Sequence, residues 1–150
     1  MALPPRIEGP SLFGGPVSDY VIAARDRCDE TIDRIRCVRT RRYKYIRNFM
    51  PERLYLQPNK YTETYYPILQ LLKDRAAAGT LKGAEGIMTQ TRRPAEELYD
   101  LREAPHEILN LADDPKHGEE LALLRGVLDN WIKATDDKGA YPEKATAVSK

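Results

Sequence analysis

Two stretches of this 150-residue chain concentrate the side chains that could do chemistry. The first, Arg25-Asp26-Arg27-Cys28-Asp29-Glu30, frames a carboxylate with two guanidinium groups. Arginine's planar fork meets anionic oxygens with paired, charge-assisted hydrogen bonds, so this stretch suits an anionic or sugar substrate. The plainer reading is a surface ion-pair cluster worth at most about 1 kcal/mol. The second stretch carries Arg34, Arg36, Arg39, Arg41, Arg42, Lys44 and Arg47, interleaved with Tyr43 and Tyr45. A nucleic-acid surface uses such a pattern, with cations for phosphates and rings for bases. A formal net charge of +1, acids nearby at Asp29, Glu30 and Asp33, and no recognised nucleic-acid motif favour a solvated strand face instead.

The remaining reactive residues form no constellation. Cys28 and Cys37 lack a second Cys or His at ligand spacing, and His106 and His117 lie far along the chain, which argues against a zinc site. Nothing sets the geometry of a Cys28–Cys37 disulfide. Reduced thiols are expected, because the segment from Met1 to Gly9 lacks the apolar run of a signal peptide. His106 and His117 default to surface or capping roles, and Tyr99 to the edge of a core. No Gly-rich phosphate loop, Ser-His-Asp order or catalytic carboxylate pair emerges. No run approaches the roughly 18 apolar residues of a membrane span. On residue chemistry alone this is a non-catalytic module.

The elements that must position these residues follow from pattern. Residues 1–19 are rich in Pro and Gly and read as an irregular lead-in. Tyr20 to Arg25 is β-branched and aromatic, and reads as a strand running out at Arg25-Asp26-Arg27. Strands are expected over 35–39 and 43–48, joined by a short hairpin connection at Thr40-Arg41-Arg42. Residues 50–64 read as a long surface loop. A helix follows Pro67 and stops at Gly79, and a fourth strand spans 97–101. Asp113-Asp114-Pro115 has helix-start chemistry, after which Leu121, Leu124, Leu128, Trp131 and Ile132 repeat at helical spacing. The fold expected is α+β: a small four-stranded antiparallel sheet packed by a long C-terminal helix and a second helix, with a loose tail over 140–150.

The run YVIAARDRCDETIDRIRCVRTRRYKYIRNFMPERLYLQ, Tyr20 to Gln57, resembles the C-terminal part of bacterial sulfatases in the subgroup similar to N-sulfoglucosamine sulfohydrolase. EELYDLREAPHEILNLADDP resembles the family's next landmark, a strand and turn followed by Asn-Leu-Ala before the last helix. LRGVLDNWIKATDDKGAYPE resembles that helix and the segment behind it, and LPPRIEGPSLFGG the linker from the catalytic domain. Ala104 stands where the family usually has an acid before Pro105.

The resemblance implies an alkaline-phosphatase-like superfamily and the hydrolysis of sulfate esters or sulfamates. It implies calcium and a formylglycine made within a C-x-P-x-R motif, both in a catalytic domain upstream. Cys28 is followed by Asp29-Glu30 and Cys37 by Val38-Arg39, so neither lies in that motif. The chain then reads as a linker over 1–19, a C-terminal subdomain over 20–139 and a tail over 140–150. It is expected to be inactive alone, with the catalytic domain as partner and a sulfated carbohydrate as substrate. Nucleic acid and membrane are not expected as partners. Arg25, Asp26 and Arg27 are the substrate-binding residues the resemblance places at the pocket wall, and no catalytic or metal-binding residue is assigned. The compartment is left open, since the parent enzymes are commonly exported. The competing reading is a freestanding module that binds sulfated sugars or a partner protein.

Overall fold

One residue from each of four strands builds the row on which the domain is centred. In the computed structural model, which describes residues 18–141, the strands are β1 (Tyr20–Cys28), β2 (Thr31–Thr40), β3 (Tyr43–Asn48) and β4 (Glu96–Asp100). They pair antiparallel in the order β1-β2-β3-β4. Ile22 lies opposite Val38, Val38 opposite Tyr45, and Tyr45 opposite Leu98. Side chains alternate along a strand, so this register puts all four on one face. The helix α4 (Gly118–Ala134) covers that face with Leu121, Leu124 and Leu128, which are buried with Val38, Tyr45 and Leu98. The alternation of Tyr43, Tyr45 and Arg47 holds: Arg47 donates to Asp129 of α4 at 2.5 Å, on the helix side. Asp113-Asp114-Pro115 starts the helical segment through a short 3₁₀ turn, Pro115–His117, in which the Asp114 side chain accepts from the Lys116 N–H.

The Asn-Leu-Ala signature finishes the sheet. Strand β4 is a sheet edge, whose outer backbone groups need partners. Asn110 supplies them. Its Oδ1 accepts from the Leu98 and Ala112 N–H groups, its Nδ2 donates to the Glu96 carbonyl, and the Leu111 N–H donates to the Leu98 carbonyl. The turn and helix start therefore close the edge of the sheet.

Three sequence expectations change. Strand β1 continues through Arg25, Asp26 and Arg27 to Cys28, with a register shift between Arg25 and Arg27, because β2 begins at Thr31 rather than Ile35 and gives them partners. The expected loop over 50–64 contains a short helix, α1 (Lys60–Tyr65), capped by Asn59, whose side chain accepts from the Thr62 N–H. Propensity missed it because α1 buries no residue and so leaves no apolar stripe. Helix α2 starts at Pro67 itself and runs to Ala77; a four-residue helix, α3 (Ala84–Ile87), follows. Among the described residues no helix is long and apolar enough to cross a membrane. The lead-in over 1–17 and the tail over 142–150 lie outside the described residues.

Candidate substrate-contact site at the first hairpin

The site is built around a buried arginine. Alternation from Val38 puts Arg36 on the helix-facing side of β2, with none of its surface exposed. A guanidinium taken out of water needs paired acceptors for its donors. Arg36 finds them in two directions. Its Nε and Nη2 bond both oxygens of Asp137, just beyond α4, at 2.9 and 2.8 Å. Its Nη1 lies 2.7 Å from Asp26 Oδ1 and donates to the carbonyls of Arg25 and Ile35. The segment after α4 is thereby strapped to β1 and β2. Gly139 completes the strap, since a Cβ there would stand 2.0 Å from Arg36 Nη2 and 2.3 Å from Asp26 Oδ1. The Arg36 guanidinium, opposed only by partial burial, holds the Asp137 carboxyl down at about 2.

Beside the strap lies a hollow of about 480 Å³ lined by Asp26, Arg27, Ile32, Asp137, Lys138, Gly139 and Tyr141. The structure thus brings Asp26 and Arg27 together in one hollow. Asp26 and Asp137 are committed to Arg36, so the groups there suited to an anion are Arg27 and Lys138. Arg27 Nε also donates to the Asp29 carbonyl at 2.5 Å. Lys138 is paired with Asp136 at 2.6 Å and lies over the Tyr141 ring. Arg25 is exposed and separate from this lining, and its charge acts on Asp33.

The basic run is largely consumed by ion pairs. Arg34 reaches Asp137 and stacks over Phe49, Arg42 holds buried Asp100, Lys44 holds Glu107 and Arg47 holds Asp129. Arg39 and Arg41 are exposed. A second buried pair anchors the loop after β3. Both oxygens of Asp33 accept from Arg93, at 2.7 and 2.8 Å, with the two side chains almost wholly buried. Arg93 also donates to the Met50 carbonyl and Gln57 to Asp33. Burial alone would raise the Asp33 pKa, but Arg93 outweighs it and the net shift is downward.

The carboxylates among the described residues do not fit calcium. Asp26, Asp33, Asp100, Asp137 and Glu96 each face a guanidinium, and among the described residues no group of three or more His, Cys, Asp or Glu could hold a metal ion. Nor do the cysteines fit a formylglycine precursor. Cys28 is exposed on a strand, and burial pushes the thiol of half-buried Cys37 up; both are unpaired with one another. What the arrangement offers is two cationic side chains, Arg27 and Lys138, at the rim of one hollow.

With this geometry in view, comparison with known proteins decides the family. The chain is 40% identical over 124 residues to an ulvan-active sulfatase of Formosa agariphila, covering 83% of this chain. The chain is a sulfatase relative. Human N-sulphoglucosamine sulphohydrolase is 29% identical over 132 residues, 85% of this chain. These matches span 21% and 26% of the two curated relatives, so this chain corresponds to between a fifth and just over a quarter of a sulfatase, in its C-terminal portion. Among solved structures, a 2-O GAG sulfatase has the same fold over 95% of this chain and 24% of its own, with a TM-score of 0.58 and 24% identity. No family model matches the chain.

The sequence pattern put Arg36 on a solvated basic face, where the structure buries it completely, and singled out neither Asp137 nor Gly139. The signal was present: in a strand where Val38 faces inward, Arg36 must face inward too, and a buried arginine demands an acid elsewhere. The Asp-Asp-Lys-Gly after the last helix supplies it.

Proposed function

We propose that this chain acts as the C-terminal portion of a sulfatase, a scaffold and one wall of a pocket for a sulfated carbohydrate. The observation that carries this is the 40% identity to a stretch amounting to only 21% of an ulvan-active sulfatase. The names of the relatives, ulvan-active and N-sulphoglucosamine, point to sulfated saccharides as the substrate class. Arg27, with Lys138 beside it, would meet the anionic group, while Asp26 is held by Arg36 as the floor of the hollow. Arg25, on the other side of the strand, is the weaker member of the expected trio. Bond cleavage, with formylglycine and calcium, belongs to a catalytic portion outside these residues.

That catalytic portion is also the partner proposed for the exposed β1 edge of the sheet face away from α4. Away from α4, Ala23 lies opposite Cys37, Cys37 opposite Ile46, and Val21 stands beside them 57% exposed. Apolar surface left in water, as at Val21 and Ala23, costs roughly 25 cal/mol per Å², which a covering domain would recover. Purified as it stands, the chain is expected to release no sulfate from p-nitrophenyl sulfate above the buffer rate, with or without calcium. Turnover that survives repurification would overturn the proposal, because neither cysteine lies in the motif from which a formylglycine is made.

A further inference from the structure

Helix α1 buries no residue, yet it is held firmly in place. Its cap, Asn59, is itself buried and donates from Nδ2 to Asp29 Oδ2 at 3.2 Å and to the Cys28 carbonyl at 3.4 Å. The Lys60 N–H donates to Glu30 Oε1 at 2.5 Å, and Thr31 Oγ1 to the Pro58 carbonyl at 2.5 Å. Four polar contacts thus fix a six-residue helix that adds nothing to the core. What the helix presents is aromatic. Tyr61 and Tyr65, four residues apart on one face, are 55% and 67% exposed with ring centroids 5.1 Å apart. Tyr66 abuts Tyr61 edge-on at 5.9 Å.

We propose that this is a saccharide-binding site. The rings of Tyr61 and Tyr65 face a hollow of about 580 Å³ shared with Asp29, Glu30, Lys60 and Thr64. That volume is within the usual range of small-molecule sites, about 300–1,000 Å³. A sugar ring has an apolar C–H face, which stacks on an aromatic ring, and a rim of hydroxyls, which needs donors and acceptors together. The hollow offers both kinds of group. Three charged residues among six lining residues are unlike the core of a protein-docking surface, where charge is depleted. The inference rests on the sulfated-carbohydrate reading and adds a contact to it. Asp26, Arg27 and Ile32 line the anion hollow, while Asp29 and Glu30 line this one, so the two flank a single hairpin turn. One polysaccharide chain can cross that turn, with its anionic group at Arg27 and a neighbouring ring on the tyrosines.

The test is calorimetric titration of the 150-residue chain with an N-sulphoglucosamine-containing tetrasaccharide and with its desulfated counterpart. Both sugars are expected to bind, the sulfated one more tightly. Tyr61→Ala with Tyr65→Ala should weaken both by about tenfold or more, with the unfolding midpoint unmoved, since neither ring is in the core. Arg27→Ala should weaken the sulfated sugar more than the desulfated one, so that the preference between them narrows. Failure of that second result alone would count against the anion wall, not against the tyrosines. The tyrosine site is overturned if the wild-type chain binds neither sugar, if the double substitution leaves both affinities intact, or if its only effect is to abolish self-association.

Discussion

Arg36→Met is expected to destabilise the chain by roughly 3–5 kcal/mol, the cost of removing one member of a buried, hydrogen-bonded ion pair. The substitution keeps the apolar stem but leaves Asp137 and Asp26 facing each other without the guanidinium that serves both. Denaturant unfolding followed by circular dichroism reads the loss. Adding Asp137→Leu should recover part of it, since the stranded charge then disappears. The same contact gives an acid limb. Asp137 titrates at about 2 in the folded chain against 3.8 ordinarily, so its contribution is complete above that ordinary value and drains away between about pH 4 and pH 2. In Arg36→Met this limb should flatten.

Asp33→Ala is expected to be comparably severe, again roughly 3–5 kcal/mol, because it strands the Arg93 guanidinium in the interior. Its effect should be visible first in one place. Asp33 joins β2 to the segments carrying Met50, Gln57 and Arg93, so the peptide over 50–58 should become the first site of limited proteolysis. Arg93→Lys, with Asp33 intact, should lose much of the same stability, since a single ammonium cannot reproduce two parallel bonds to one carboxylate. Wild-type stability in either variant would mean that this pair is not the anchor its geometry indicates.

Most of the sheet and its covering helix could be read from pattern. The period of two in Tyr43 to Asn48 gave the facing, and Leu121, Leu124 and Leu128 gave the buried stripe. Helix α1 could not be read that way, because a helix that buries nothing has no apolar period. Its only local signal was Asn59 as a cap. Strand β1 was cut short at Arg25 because charged residues look like a strand end; its continuation depends on pairing with Thr31 and Ile32, a tertiary fact. The site was half legible. Asp26 and Arg27 do share a hollow, but Lys138 joins them only because Arg36 draws Asp137 across a gap of 101 positions. No local rule reports a partner that distant, and only the inward phase of Arg36 pointed to its existence.

The most direct test of the proposed role uses the ulvan-active relative as host. Its C-terminal stretch matched by this chain would be deleted and then replaced by residues 18–141 of this protein, and aryl-sulfate and ulvan-oligosaccharide hydrolysis compared across host, deletion and chimera. If this chain is a sulfatase scaffold and pocket wall, the deletion is inactive and the chimera regains turnover, with Arg27→Ala in the chimera raising KM for the oligosaccharide more than for the aryl sulfate. A deletion as active as the host, or a chimera no better than the deletion, would contradict it.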